Sequence, residues 1–147
     1  MKVYIAADHR GFSLRESIIE YLSRAGYDVV DDSVAKLDPT DDYPVVAQRL
    51  VKDVLSSDDQ DVRGILICGS GQGVCMAANR FKGIRALLGY DRHAVKSART
   101  DDDANVLCLP ADILKTEDAN VLAETFLNTP FVPEARYVRR IREMDDM

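Results

Sequence analysis

The sequence predicts a doubly wound α/β fold, in which a five-stranded parallel sheet carries helices on both faces. Short apolar runs alternate five times with segments that have helical hydrophobic spacing. The apolar runs lack the strict polar–apolar alternation of a half-solvated strand, so both faces of each strand are expected to be buried. With 147 residues and no linker, repeat or low-complexity tract, residues 1–147 are expected to form one domain with a full core.

The first part of the chain alternates clearly. The run VYIAA predicts a strand over residues 3–7, and YDVV predicts a second over residues 27–30. Between them, a helix is predicted from Phe12 to the stop at Gly26, because apolar residues recur at helical spacing, at Phe12, Leu14, Ile18, Ile19 and Leu22. Residues 31–42 are polar, contain a proline turn and are expected to form a loop.

The middle of the chain continues the pattern. A helix is predicted over residues 43–56, because Pro44 suits a first helical turn. RGILIC predicts the third strand over residues 63–68, and a glycine loop and a helix follow it. GIRALLG predicts the fourth strand over residues 83–89, followed by a helix over residues 91–99.

Three elements complete the chain. NVLCL predicts the fifth strand over residues 105–109. A helix is predicted over residues 116–128 with Thr116 as its cap. The last helix, over residues 133–144, is expected to open on Pro133 and carries several arginines.

Composition excludes several classes of function. The net charge is −6 and the pI about 4.9, so the basic surface that binds nucleic acid or an anionic membrane is not expected. No apolar stretch approaches the roughly 20 residues of a membrane span, and the N-terminus has the pattern of a strand rather than a signal peptide, so a cytoplasmic protein is expected. The three cysteines are expected to be reduced, and no zinc-ligand spacing occurs.

Candidate site residues converge in the predicted topology. In a sheet of Rossmann or flavodoxin type with strand order 2-1-3-4-5, ligands bind between strands one and three, where the strand order reverses. Asp8 and His9 end strand one, and Cys68 ends strand three. Asp8 and His9 are therefore either a loop pair without chemistry or part of a site beside Cys68.

The segment GSGQG, residues 69–73, follows a strand and opens a helix. Its successive backbone N–H groups suit an anion hole, although a tight strand-to-helix turn is the alternative. It is neither GxGxxG after the first strand nor a P-loop, and Val74 stands where a Cys-x5-Arg motif needs arginine. Cys68 is either a buried small residue or, at an anion hole, a thiolate base, whereas Cys75 and Cys108 are expected in the core.

Six segments together resemble the sugar-phosphate isomerase family that includes ribose-5-phosphate isomerase B and the galactose-6-phosphate isomerase subunits. They run in order along nearly the whole chain: ADHRG (7–11), DDYP (41–44), ICGSGQG (67–73), AANRFKGIRA (77–86), DDANVL (102–107) and EARYVRRI (134–141). This resemblance implies an enzyme that interconverts an aldose phosphate and a ketose phosphate through a cis-enediolate, with no metal or organic cofactor.

The resemblance also implies roles for individual residues. Cys68 would be the base, and Val74 stands where other branches place a glutamate. The amides of the loop, with the Ser70 hydroxyl, would hold the enediolate oxygen, as preorganised donors do for developing charge; the loop residues are Gly69, Ser70, Gly71, Gln72 and Gly73. Asp8 and His9 would contact the substrate's hydroxyls and phosphate end.

Arg136 and Arg140 match the family's phosphate-binding arginines. Their i,i+4 spacing puts both on one face of the last helix, for which a solvated arginine face is the alternative. The family's members are homodimers or homotetramers whose sites use residues of two subunits. The expected partners are therefore a sugar phosphate and further copies of this chain.

The sequence departs from the family pattern in two places. Asp101 and Asp102 stand where the family has a ring-opening His and an Asn, so Asp101 is a candidate catalytic residue and Asp102 a candidate substrate-binding residue. An ionised Asp101 accepts a proton but donates poorly unless its pKa is raised, and an acidic loop is the alternative. Asp112 replaces an arginine that contacts phosphate, so phosphate binding is expected to be weaker, or Asp112 to pair with Arg136 or Arg140.

Three functions fit the sequence. The first is isomerisation of ribose 5-phosphate and ribulose 5-phosphate. The second is the same chemistry on a different sugar or sugar phosphate, suggested by Asp101 and Asp112. The third is a subunit that binds sugar phosphate without turning it over.

Overall fold

The computed structural model describes residues 1–33 and 36–147 and has the predicted α/β alternation. The strands are β1 (Lys2–Ala7), β2 (Asp28–Asp31), β3 (Arg63–Cys68), β4 (Ala86–Leu88) and β5 (Val106–Pro110). The helices are α1 (Phe12–Arg24), α2 (Tyr43–Ser56), α3 (Gln72–Ala78), α4 (Arg92–Asp102), α5 (Thr116–Asn128) and α6 (Ala135–Asp145). Part of the loop predicted at residues 31–42, residues 34 and 35, lies outside the described residues.

All five strands pair in parallel in one sheet, which confirms the predicted fold class. The order is β2-β1-β3-β5-β4, so the expected order 2-1-3-4-5 is wrong for the last two strands. Every residue of β5 is buried, whereas the three residues of β4 are only half-buried, as expected of an inner strand beside an edge strand. β1 still lies between β2 and β3, and the reversal of strand order stays beside it.

Helices cover both faces of the sheet. On one face, α1, α4 and α5 bury their apolar sides, including Ile18, Leu22 and Phe126. On the other face, α2 and α3 pack against the sheet and each other, with Leu50 and Val51 fully buried. The helical spacing found in the sequence therefore corresponds to the buried stripe of each helix.

Several predicted boundaries differ from the structure by a few residues, and α4, predicted over residues 91–99, extends over Arg92–Asp102. Lys115, not Thr116, is the N-cap of α5, because Lys115 is the last residue with extended backbone. The final helix begins at Ala135 rather than residue 133, because Glu134 before it is extended. The fourth strand is limited to Ala86–Leu88 of the predicted 83–89.

Within the described residues, no helix is both long and apolar enough to cross a lipid bilayer.

A cluster of charges lies between the end of β2 and α2. Asp32 donates its backbone N–H to Ile5 O at 2.8 Å and is mostly buried. Burial, and then repulsion from Asp53, raise the pKa of Asp32 to about 6, against the attraction of Arg49. Between about pH 4 and pH 6, Asp32 therefore holds a proton in the folded protein that it has already released in the unfolded chain, whose pKa is near 3.8. The free energy of unfolding that Asp32 contributes consequently falls as the pH rises through this range.

We expect Asp32→Asn to raise the free energy of unfolding by about 1–2 kcal/mol at pH 7.5, because the amide removes a buried charge. Near pH 4 the gain should shrink, since Asp32 is then already protonated. Urea denaturation at both pH values measures it, with Asp58→Asn, an exposed carboxylate, as the control. A gain of equal size at both pH values would contradict this account.

Candidate active site

Pairing of β1 with β3 brings three predicted site residues together. Ala7 is in register with Ile67, and the Asp8 N–H donates to Ile67 O at 3.1 Å. Asp8 and His9 therefore lie beside the end of β3, where Cys68 stands. The N–H of Ala111, just beyond β5, donates to Cys68 O at 2.9 Å. The ends of β1, β3 and β5 thus meet at the carboxyl edge of the sheet.

The Cys68 side chain is held by the glycine loop. Cys68 is 5% exposed, and the Gly71 N–H donates to its Sγ at 3.2 Å. Gly71 has φ +72°, and a Cβ there would lie 2.6 Å from Leu88 Cδ1, so the loop needs glycine at this point. The loop amides and Sγ consequently form one cluster at the start of α3.

Ser70 lies on the exposed side of this loop. Its Oγ accepts the Gln72 N–H at 3.3 Å, which leaves the hydroxyl proton available to an oxygen of a ligand. Gly73 follows Gln72 in the first turn of α3. The five loop residues predicted as binding groups therefore lie next to Cys68 in space as well as in sequence.

Asp8 stabilises the turn after β1. Its buried carboxylate accepts the backbone N–H groups of Arg10 at 3.0 Å and Gly11 at 3.2 Å through Oδ1. Burial raises the pKa of Asp8, and these two hydrogen bonds oppose the rise. One oxygen thus holds the turn, and Oδ2 is the atom that suits a ligand hydroxyl.

His9 is paired with Asp41, a residue to which the sequence assigned no role. The His9 ring Nδ1 lies 2.7 Å from Asp41 Oδ1, and the same oxygen accepts the His9 backbone N–H at 3.0 Å. This pairing raises the pKa of His9. The pair favours a cationic imidazole and leaves Nε2 for a ligand. Asp41 is the first residue of the DDYP segment, which contributed to the family resemblance, so the sequence did contain a signal for it.

Asp112 also lies at the carboxyl edge. Its N–H donates to Gly69 O at 2.9 Å, and its carboxylate pairs with Arg10. Within one chain, Asp112 therefore pairs with Arg10 from the β1 turn rather than with Arg136 or Arg140, the pairing that was one of the two expectations.

Asp101 and Asp102 lie at the opposite edge. They end α4, and the chain then enters β5 at its amino end, where Gly64 is in register with Val106. Cys68 is in register with Pro110, four residues further along β5, and a strand rises about 3.3 Å per residue, so about 13 Å of sheet intervenes. Within one chain, the structure does not bring this acidic pair to Cys68.

The acidic turn is fixed by two arginines that sequence reasoning missed. Asp103 has a positive φ of 47°, and its carboxylate binds Arg99 Nη1 at 2.8 Å and Arg85 Nη2 at 3.0 Å. Arg99 is almost fully buried. Asp103 is thus structural, and it leaves Asp101 and Asp102 as the outward members of the turn.

The two outward carboxyl groups differ. Asp101 accepts the Thr100 hydroxyl at 2.7 Å. Burial, and then repulsion from Asp101, raise the pKa of Asp102, while Arg140 and Arg85 oppose the rise. A raised pKa leaves the Asp102 carboxyl better able to hold a proton than a free aspartate is.

The α6 arginines lie beside this turn. α6 packs on α4 and has no buried residue. Arg136 is exposed, binds Glu134 at 2.9 Å through Nε and lies over the Tyr137 ring. Arg140 is also exposed and is a neighbour of Asp102. Both the phosphate-binding and the solvated-face interpretations fit this placement in a single chain.

The remaining cysteines lie under the site. Cys108 is fully buried, as expected, whereas Cys75 is half-buried on α3 with its Sγ 3.5 Å from Ala86 O. Within residues 1–33 and 36–147, no three His, Cys, Asp or Glu side chains are grouped as metal ligands would be.

Comparison with known proteins assigns the chain to a family. A sequence model of the Ribose/Galactose Isomerase family matches residues 3–144. The chain belongs to this family. The match covers both groups of candidate residues, those at the carboxyl edge and those at the acidic turn.

Two relatives illustrate the similarity. Probable ribose-5-phosphate isomerase B of Mycoplasma pneumoniae is 42% identical over 129 residues, 88% of this chain and 84% of that protein. Ribose-5-phosphate isomerase B of Mycobacterium tuberculosis strain H37Rv is 32% identical over 145 residues, 96% of this chain and 86% of that protein.

Solved structures agree in fold. Ribose 5-phosphate isomerase from Thermotoga maritima has a TM-score of 0.93 and 39% identity, and the match covers 99% of this chain and 98% of that one. Ribose-5-phosphate isomerase B from Mycoplasma genitalium, with bound ribulose-5-phosphate, has a TM-score of 0.86 and 38% identity, covering 99% and 94%.

We expect Asp41→Asn to lower the pKa of the His9 imidazole, because the amide removes the negative partner of the ring. Titration of both imidazoles by NMR measures it. His93, at the start of α4, provides an internal control and should titrate unchanged. A His9 pKa unaltered by the substitution would show that Asp41 does not set the charge of His9.

Proposed function

We propose that this chain interconverts ribose 5-phosphate and ribulose 5-phosphate with Cys68 as the base. The observation that carries the proposal is the contact of Cys68 Sγ with the Gly71 N–H, which places a proton acceptor against the backbone of the glycine loop. Relatives named ribose-5-phosphate isomerase B, one of them with bound ribulose-5-phosphate, support the choice of substrate.

The reaction needs one proton moved between two carbons. The Cys68 thiolate removes the C2 proton of the open-chain aldose, and the C2 electron pair forms the C1–C2 double bond as the carbonyl oxygen takes the negative charge. The loop N–H groups and the Ser70 hydroxyl stabilise that charge, which is usually the largest catalytic contribution. The Cys68 thiol then returns the proton to C1, while the proton of the C2 hydroxyl passes from O2 to O1. C2 thereby becomes the carbonyl carbon of the ketose, and C1 carries the new hydroxyl group.

His9 and Asp8 bind the rest of the substrate. A cationic His9, held by Asp41, suits the phosphate end, and Asp8 Oδ2 suits a hydroxyl group. The Asp8 carboxylate accepts the Gly11 N–H, and the His9 N–H donates to the Asp41 carboxylate. Both residues are therefore held in place before the substrate binds.

The complete site would combine two copies of the chain. Asp101, Asp102, Arg136 and Arg140 lie at the edge of the sheet away from Cys68, so they reach that thiol only from a second subunit. A homodimer, alone or within a homotetramer, would then bring a ring-opening carboxyl pair and two phosphate-binding arginines to each Cys68. Asp102, with its raised pKa, is a candidate proton donor for ring opening.

A second substrate remains a candidate because of two carboxylates. Asp101 replaces a ring-opening histidine, and Asp112 replaces a phosphate-binding arginine. A substrate panel of pentose and hexose phosphates and free sugars distinguishes the two cases: a clear preference for ribose 5-phosphate supports the first function, and a preference for another sugar supports the second.

We expect Cys68→Ala to reduce turnover of ribose 5-phosphate by about 10³-fold or more, since the variant lacks the base that takes the C2 proton. Initial rates of ribulose 5-phosphate formation measure it, and circular dichroism checks that the variant folds. Cys75→Ala, which removes a half-buried thiol on α3, should remain active. Near-normal turnover by Cys68→Ala would refute the proposed base.

We expect two inactive variants to restore activity when mixed. Cys68→Ala lacks the base, and Arg140→Ala lacks a phosphate contact from the other edge. If each site uses both subunits, exchange in a dimer gives mixed dimers with one intact site, and about a quarter of the parent activity returns. Mixing after mild dissociation, with each variant alone as control, tests this expectation. No recovery despite proven subunit exchange would contradict a shared site.

A further inference from the structure

An ion pair between Arg10 and Asp112 lies against the glycine loop and has no role in the scheme above. Arg10 belongs to the turn after β1, and Asp112 follows β5 by two residues. A Cβ at Gly69 would lie 2.7 Å from Arg10 Nε and 2.8 Å from Asp112 Oδ2. The two charged groups therefore meet at the α-carbon of the residue that follows Cys68.

The backbones of the two residues are anchored, but their side chains are accessible. The Arg10 N–H donates to Asp8 Oδ1 at 3.0 Å, and the Asp112 N–H donates to Gly69 O at 2.9 Å. The side chains are 58% and 44% exposed. An ion pair in such contact with solvent is weakly held, so a stronger anion can replace the carboxylate.

The charges around the pair determine whether a phosphate can approach the glycine loop. The described carboxylates Asp8, Asp41 and Asp112 outnumber the bases His9 and Arg10 at this edge. A phosphate dianion that approaches the loop is therefore repelled while Arg10 remains neutralised by Asp112. It is attracted once the guanidinium turns from Asp112 to the phosphate oxygens.

We propose that Arg10 is a substrate-binding residue that exchanges Asp112 for the phosphate of the bound sugar phosphate. This proposal rests on the proposed function for the identity of the sugar. The planar guanidinium fork binds two phosphate oxygens at once, and a dianion attracts it more strongly than one carboxylate does. Asp112 then acts as a competing anion that sets the affinity and disfavours weaker anions.

Titration with inorganic phosphate tests the exchange directly. Isothermal calorimetry on the full chain compares the parent with Arg10→Gln, Asp112→Asn and the double variant. We expect Arg10→Gln to weaken binding by about tenfold or more, and Asp112→Asn to tighten it by about threefold. Arg24→Gln is the matched control, because Arg24 forms an exposed ion pair with Glu20 at the last turn of α1.

The double variant distinguishes direct contact between Arg10 and phosphate from neutralisation of Asp112 by Arg10. If Arg10 contacts phosphate, Arg10→Gln/Asp112→Asn binds phosphate more weakly than Asp112→Asn alone. If Arg10 only neutralises Asp112, the double variant equals Asp112→Asn, and the proposal is wrong. Equal affinity of all variants, or no phosphate binding by any of them, also overturns it.

Kinetics with ribose 5-phosphate give a second readout. Direct contact predicts that Arg10→Gln raises KM by about tenfold with kcat within a few-fold of the parent. A pair that only shapes the loop predicts that Arg10→Gln and Asp112→Asn lower kcat alike, which would overturn the proposal. A parent without isomerase activity would refute the proposed function, whereas the phosphate titration would still decide the role of Arg10.

Discussion

The parallel pairing of β1 with β3 is the constraint on which the site depends. It places the Asp8 N–H on Ile67 O, and so it sets the turn after β1 against the loop after β3. The neighbouring pairing of β3 with β5 adds the Ala111 and Asp112 amides to the carbonyls of Cys68 and Gly69. Three loops that are distant in sequence thereby become one rigid surface around a single thiol.

The same sheet also divides the functional residues. Parallel strands collect the groups that follow β1, β3 and β5 at one edge, and the end of α4 must return to the other edge before β5 begins. Cys68 with its glycine loop and the acidic turn with its arginines are therefore separated within one chain. In the proposed function, a second copy of the chain would bring the two groups together.

The residues at the two edges are held in different ways. At the carboxyl edge, backbone hydrogen bonds fix Cys68, Asp8 and His9, which suits groups that must not move during proton transfer. At the acidic turn, Arg99 and Arg85 clamp Asp103, and the positive φ of that residue turns the chain. The Arg10 and Asp112 side chains, in contrast, are exposed to solvent, which suits the proposed exchange of partners.

Sequence patterns predicted most of the fold and half of the site's geometry. The helical spacing of apolar residues was enough to predict α1 and α2, and the apolar run was enough to predict β3. In each of these elements, the apolar residues of the sequence are the ones that the fold buries. The inner position of β5 was missed, because strand order depends on comparing how completely two distant strands are buried. The proximity of Cys68, Asp8 and His9 was predictable because Cys68 ends β3, and Asp8 and His9 follow β1, at the reversal of strand order.

Partners of side chains could not be predicted in the same way. Asp112 was expected to bind an α6 arginine, and only the three-dimensional placement of the β1 turn shows that Arg10 is nearer. The raised pKa of Asp102 depends first on desolvation at the end of α4, which adjacent carboxylates in a sequence do not reveal. Asp41 was visible in a motif, but its hydrogen bond to the His9 ring was not.

The most direct test of the central claim, that Cys68 moves a proton between C1 and C2, is isotope exchange. Ribose 5-phosphate is incubated with the parent and with Cys68→Ser in deuterated water, and proton NMR follows deuterium entering the sugar. The account predicts incorporation at C1 of ribulose 5-phosphate and at C2 of ribose 5-phosphate by the parent, and none above background by the variant. Exchange at the parent rate in Cys68→Ser would contradict it.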